Sequence, residues 1–311
     1  MPESVYSRTA FLFPGQGSQA VGMGLDLFDG SPAAREVFRE VDDALGHHLS
    51  RVIFEGPEET LRRTENAQPA IAAVSLACLK AVEEALGEAP SPAMYAGHSL
   101  GEYTALAASG VLGIGDTARL VAERGRLMQL ACDERPGGMA ALIGIDELAA
   151  AEVCRETGTT MANINGAQQI IISGDHMNLA QALDLAAARG AKKCILLKVG
   201  GAFHSGHMAP ARDGLGRAVR SLAFRSPTAP IIGNVEARPL RTGAELKEEL
   251  AAQLTACVQW HRSVEYMLDR GIERFVELGP GNVLTGLVRR TNREAQVVNV
   301  SDLASAKGLA A

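Results

Sequence analysis

The sequence predicts a two-part α/β protein: a mostly parallel, helix-covered sheet with a small β-α-β-β-α-β unit inserted into it. Three observations carry this reading. Short apolar runs, such as residues 9–13 and 274–278, alternate with longer helix-periodic segments, as in parallel sheets with crossover helices. Between Gly137-Gly138 and Gly200-Gly201 the rhythm changes to β-α-β-β-α-β over about 65 residues, the ferredoxin-like order. Finally, Gly97-His98-Ser99-Leu100-Gly101 joins an apolar run to a helical one, the G-x-S-x-G layout of a nucleophile elbow.

In order, residues 9–13 (TAFLF) read as a buried strand stopped by Pro14. In Gly15-Gln16-Gly17, two glycines allow close backbone approach to a ligand or to another loop. A P-loop lysine and a G-x-G-x-x-G pattern are both absent there, which argues against a nucleotide site. Helices are expected at 33–45, at 70–86 after Pro69, and at 114–132; the alanine-rich second one should lie buried against a sheet. The small unit, 137–199, takes strands at 139–145, 161–164, 169–173 and 194–199, with helices at 147–156 and 177–189. The large unit is 1–136 with 200–311. Its second part takes helices at 208–222, 244–254, 263–270 and 282–290 and strands at 230–233, 274–278 and 296–300. The ends, 1–7 and 305–311, read as loosely held.

With 311 residues, 47% of them hydrophobic and 21% charged, the chain is an ordinary globular protein with ample core. A net charge of −6 and the lack of basic runs with interleaved aromatics argue against nucleic-acid binding. No apolar stretch approaches the roughly 18 residues of a membrane span, and no secretory signal is evident. Five scattered cysteines without C-x-x-C spacing fit a reducing cytoplasm rather than disulfides or a metal site. Nothing in the sequence demands more than a monomer.

A serine on an elbow is a weak nucleophile until a base reaches it. Of the seven histidines, His98 adjoins Ser99 but diverges from it on a sharp turn. His204 and His207 follow the last strand of the small unit, on a glycine-rich return to the large one. Loops at strand ends are where catalytic groups gather on such sheets, and both remain candidates by position.

Four motifs occur in register: Phe13-Pro14-Gly15-Gln16-Gly17-Ser18-Gln19, Gly97-His98-Ser99-Leu100-Gly101-Glu102, Ala202-Phe203-His204-Ser205 and Glu277-Leu278-Gly279-Pro280-Gly281. In these the chain resembles the malonyl-CoA:acyl-carrier-protein transacylases of fatty-acid synthesis and the related acyltransferase domains of polyketide synthases. The resemblance implies an α/β-hydrolase-like large subdomain with a ferredoxin-like small one, and no cofactor or metal. It implies Ser99 as nucleophile, His204 as base, and the N–H groups of Gln16 and Leu100 as the oxyanion hole. Malonyl-CoA and an acyl-carrier protein would be the partners, and Arg124 would grip the free carboxylate. Phe203 and Leu100 would favour malonyl over bulkier groups, and Asn165 and Gln169 would line the small-subdomain side of the cleft. The Gln259 carbonyl would orient the histidine. Two positions depart from the pattern: Cys257, where proline is common, and the extra His207. An acidic carrier would need a basic patch near the cleft, with Lys192, Lys193, Arg212, Arg217 and Arg220 as candidates. A serine hydrolase and a silent scaffold subunit are the competing readings; Arg124 argues against the first, and the intact Ser99, His204 and Arg124 against the second.

Overall fold

The computed structural model describes residues 5–310. Its strands are β1 (Thr9–Phe13), β2 (Met94–Gly97), β3 (Gly138–Ile143), β4 (Thr160–Gly166), β5 (Gln169–Gly174), β6 (Lys193–Leu196), β7 (Ile231–Ile232), β8 (Pro239–Leu240), β9 (Arg274–Leu278) and β10 (Gln296–Val300). The large sheet runs β10-β9-β1-β2-β7-β8, parallel except where β8 meets β7. Central β1 is buried along its whole length, which is why TAFLF shows no polar alternation. The small sheet runs β4-β5-β3-β6 and is antiparallel throughout. Helices Glu147–Thr157 and His176–Ala188 close its core around Leu142, Val153, Ile170, Ile172 and Leu179. This is the ferredoxin-like arrangement, and the whole is the α/β fold expected above.

Local chemistry sets the helix ends. Ser31 accepts from the Ala34 N–H, Pro32 opens helix Pro32–Leu45, and Gly46 closes it at φ 71°. The helix expected from residue 70 begins earlier, at Thr64, with Pro69 inside it. Its first turn packs on Gly125 of helix Ile114–Glu134, where a Cβ would stand 2.6 Å from the Thr64 carbonyl oxygen. That close approach holds the helical turn ahead of the proline.

Other expectations need correction. Up to residue 310 the C-terminal segment is not loose, residue 311 lying outside the described residues: helix Leu303–Ala310 buries Ala306 fully, and the Leu303 N–H donates to Asp26 Oδ2 at 2.7 Å. At the other end, residues 1–4 lie outside the described chain, and Tyr6 packs edge-on against Phe11 at 6.0 Å. β6 stops at Leu196 rather than at 199; the Leu197 N–H still donates to the Met139 carbonyl (2.9 Å), and Leu197 and Val199 line a cavity. The small sheet is tied to the large unit where the Ile164 N–H donates to the Val258 carbonyl (2.9 Å) and the Val258 N–H to that of Ala162 (2.8 Å). Among the described residues no helix is long and apolar enough to cross a membrane.

Candidate active site

At the end of β2 the chain reverses into helix Leu100–Ala108 through Ser99, whose φ of 53° and ψ of −103° few side chains accept. The flanking glycines make the turn possible. A Cβ on Gly97 would stand 1.9 Å from the Gly101 carbonyl carbon, and one on Gly101 would stand 2.0 Å from the Phe13 carbonyl oxygen. The elbow thus lies directly on the end of β1.

Ser99 Oγ is 2.7 Å from His204 Nε2. His204 sits on the loop after β6, also at positive φ (56°), and its Nδ1 is 3.0 Å from the main-chain carbonyl of Gln253. A carbonyl can only accept, so Nδ1 carries the hydrogen and Nε2 turns its lone pair to the Ser99 hydroxyl. Burial, and then the nearby Arg124 charge, lower the His204 pKa to about 3, so the ring is neutral at pH 7.

This geometry corrects one expectation. Gln253, at the C-terminal end of helix Gly243–Gln253, supplies the orienting carbonyl, not Gln259. A last-turn carbonyl has no helical partner and is free to accept. The Gln259 carbonyl accepts instead from the Ser263 N–H at 3.0 Å, and its N–H donates to the Asn234 carbonyl at 2.7 Å. Cys257 lies beyond Gln253 and packs against the small unit's core. Of the two histidine candidates, His204 meets Ser99; His207 lies outside the cavity lining, with Nδ1 3.4 Å from Ser205 Oγ.

Arg124 is 1% exposed. Its Nη1 donates to Gln68 Oε1 (2.6 Å), its Nη2 to Gln253 Oε1 and to Ser99 Oγ (both 3.1 Å), and its plane lies over the Tyr103 ring at 5.0 Å. Buried Nε has no partner, and no carboxylate lies within ion-pairing distance among the described residues. A buried cation held only by neutral groups, with a donor to spare, is a site for an anion. Ser99, His204, Arg124, Gln16, Phe203, Asn165 and Gln169 line one cavity of about 270 Å³. The Leu100 side chain is fully buried in the core, while the N–H groups of Leu100 and Gln16 donate to no acceptor among the described residues. Asn165 Oδ1 takes a hydrogen bond from His98 Nε2 (2.9 Å), and the His98 ring packs on Trp260.

The two candidate basic patches separate. Arg212, Arg217 and Arg220 border a surface hollow with Asp213 and Ala251 that shares no residue with the cavity. Lys192 and Lys193 are exposed at the start of β6, the strand that runs on into Leu197 and Val199 of the cavity wall. Sequence reasoning missed Gln68, Asn234 and Gln253. Gln68 carries a faint signal, an amide standing just ahead of the alanine-rich apolar run of its helix. The other two act through folds of the chain that no local pattern announces.

A two-part α/β fold with a serine–imidazole pair on an elbow, and a buried arginine facing the same cavity, defines an acyl-transfer architecture. A family model described as "Acyl transferase domain" matches residues 10–307, and the chain belongs to that family. It is 41% identical over 301 residues to the malonyl CoA-acyl carrier protein transacylase of Bacillus subtilis, covering 95% of this chain and 94% of that one. It is likewise 41% identical over 288 residues to the Escherichia coli K12 protein of the same name, covering 91% and 93%. Among solved structures it matches the malonyl-CoA:acyl carrier protein transacylase of Xanthomonas oryzae with a TM-score of 0.93 and 40% identity, over 97% of each chain. A type II PKS acyl-carrier protein in complex with its malonyl-transacylase matches with a TM-score of 0.92 and 36% identity, over 96% of this chain and 97% of that one.

Proposed function

We propose that this protein is an S-malonyltransferase, moving malonyl from malonyl-CoA to the phosphopantetheine thiol of an acyl-carrier protein for fatty-acid synthesis. The observation that carries the reading is the unpaired, buried Arg124 guanidinium beside the Ser99–His204 pair in one cavity. Ser99 Oγ attacks the thioester carbonyl carbon while His204 Nε2 takes its proton. The resulting oxyanion accepts from the N–H groups of Gln16 and Leu100; one such donor is worth roughly 3–4 kcal/mol. As the C–S bond breaks, His204 returns the proton to the CoA thiolate, leaving a malonyl ester on Ser99. The carrier thiol then gives its proton to His204 and attacks the ester; collapse restores the Ser99 hydroxyl. The Gln253 carbonyl stabilises the imidazolium in both halves, and Arg124 holds the far carboxylate throughout, with Phe203, Asn165 and Gln169 shaping the pocket.

The five free cysteines support a reducing, cytoplasmic setting, and one chain supplies every site group, which supports a monomer as the working unit. We assign 137–199 as the small subdomain, with 1–136 and 200–311 as the large one. The type II PKS relative supports a second reading, a free-standing acyltransferase of a polyketide pathway, which uses the same chemistry and differs in its carrier. The deciding experiment is a transfer assay with malonyl-, methylmalonyl- and acetyl-CoA against fatty-acid and polyketide carriers. Malonyl transfer to the fatty-acid carrier, faster than release to water, is the expected outcome. Faster release to water would instead make the protein a hydrolase.

A further inference from the structure

We propose that Glu102 is a positioning residue for the Ser99–His204 pair, acting through the side chain of Gln253 and the turn at Asn234. The proposal rests on the transferase reading above and deepens it.

Ser99 occupies a backbone conformation that its own residue type disfavours, so something outside the turn must hold it. Both of its peptide groups are held by side-chain amides. The Ser99 N–H donates to Asn234 Oδ1 (2.7 Å), and Asn234 Nδ2 donates to the Gly97 carbonyl (2.7 Å). On the other side, Gln253 Nε2 donates to the Ser99 carbonyl (2.9 Å). Gln253 also carries the carbonyl that orients His204, and its Oε1 accepts from Arg124. One residue therefore touches the nucleophile, the base and the guanidinium.

The orientation of that amide is fixed chemically. Arg124 can only donate and the Ser99 carbonyl can only accept, so Oε1 faces the first and Nε2 the second. Nε2 has a second hydrogen, and it goes to Glu102 Oε2 at 2.5 Å. The other carboxyl oxygen, Oε1, accepts from the Asn234 N–H at 3.2 Å. Glu102 is fully buried, yet no cation lies within ion-pairing distance among the described residues. Burying a carboxyl this way is costly, and a merely structural position on helix Leu100–Ala108 would be filled better by an apolar residue. Burial and the charge of Glu249 raise its pKa. The role needs only that both oxygens accept, one from the Gln253 side chain and one from the Asn234 N–H.

Glu102→Gln tests this, because an amide of the same size has one acceptor and one donor facing two N–H groups. One of the two bonds must break while the volume is kept. The single-turnover rate of Ser99 malonylation should fall about ten- to a hundredfold, the scale of a small misplacement of reacting groups. The KM for malonyl-CoA should stay within about twofold of wild type, since Gln68 still holds Arg124. Glu102→Asp, which keeps two acceptors, should recover part of the rate. In a Gln253→Ala background, Glu102→Gln should cost clearly less than it does alone, because one of its two routes, the bond to Gln253, is already cut while the one to Asn234 remains. Fully additive losses, or a Glu102→Gln protein with the wild-type rate, would overturn the proposal. A variant that lost rate only in proportion to lost folded protein, measured by circular dichroism, would overturn it too. Failure of wild-type labelling at Ser99 would instead strike the transferase reading itself.

Discussion

Arg124 is a cation without a counter-ion beside it, and that electrical imbalance gives the sharpest expectations for single residues. Arg124→Ala should reduce kcat/KM for malonyl-CoA by about 10²- to 5 × 10³-fold, the scale of removing one partner of a buried charge pair, at about 3–5 kcal/mol. Acetyl-CoA, which has no second carboxylate, should lose little; steady-state kinetics with both donors check this. The same guanidinium depresses the His204 pKa, after burial, to about 3. An ordinary imidazole protonates near 6.5, so kcat/KM should hold as pH falls past that value and fail only well below it. In Arg124→Ala, measured with acetyl-CoA, the acid limb should move up toward neutrality. Linkage has the matching sign: the unfolded chain binds a proton on His204 below about 6.5 that the folded one refuses until about 3, so stability falls as pH drops through that window. Ser99, His204 and Arg124 were legible because each lies in a motif or matches a family position. The orienting carbonyl was not, because any residue carries a carbonyl, and only the path of the chain decides that Gln253, not Gln259, brings its own to the imidazole.

At the scale of elements, the strands at 9–13, 274–278 and 296–300 match the sequence reading in their full bounds: the first is buried throughout, and the other two are short β-branched or aromatic runs between clear stops, β10 lying at the sheet edge. Two-residue β7 and β8, and the short helices Leu25–Gly30, Leu49–Glu55 and Glu58–Arg62, do not, because too few residues repeat for a period to show. The Glu277-Leu278-Gly279-Pro280-Gly281 motif has a structural explanation. The Glu277 carboxylate accepts from the N–H groups of Leu284 (3.0 Å) and Thr285 (2.8 Å), capping helix Val283–Thr291, whose Val283 and Leu287 line the cavity. Gly279 must lack a side chain, because a Cβ would stand 2.1 Å from Ser75 Oγ. Glu277→Ala should cost about 1–2 kcal/mol of stability, the scale of a lost cap, readable as a fall of about 1.5–3 °C in Tm for a chain of 311 residues.

The molecule as a whole carries net charge −6, so an acidic carrier can approach only over a local positive surface. The strip along β6 offers one. Lys192, Lys193 and Lys198 are exposed without a carboxylate partner among the described residues, with exposed Ile195 and Leu196 between them, and the strip continues into the cavity wall. Lys192→Glu with Lys193→Glu should raise the KM for the carrier severalfold at low salt while leaving Ser99 labelling by malonyl-CoA unchanged. Charge reversal at Arg217 and Arg220, which border the separate hollow, should leave both the carrier KM and Ser99 labelling unchanged. Equal effects at both places would remove the strip as the docking face. The two-part fold was legible because its halves keep different rhythms, parallel and antiparallel, and glycine pairs mark the change. How the halves meet was not, because the bond between Val258 and the edge of β4 joins segments nearly a hundred residues apart.

The central claim is that one hydroxyl, freed by one buried imidazole, takes up the malonyl group. Peptide mapping by mass spectrometry after mixing with malonyl-CoA, and no carrier, tests it most directly. A malonyl ester on Ser99, absent from both Ser99→Ala and His204→Ala, is the result this account predicts; an unlabelled Ser99, or a label that survives in Ser99→Ala, would contradict it.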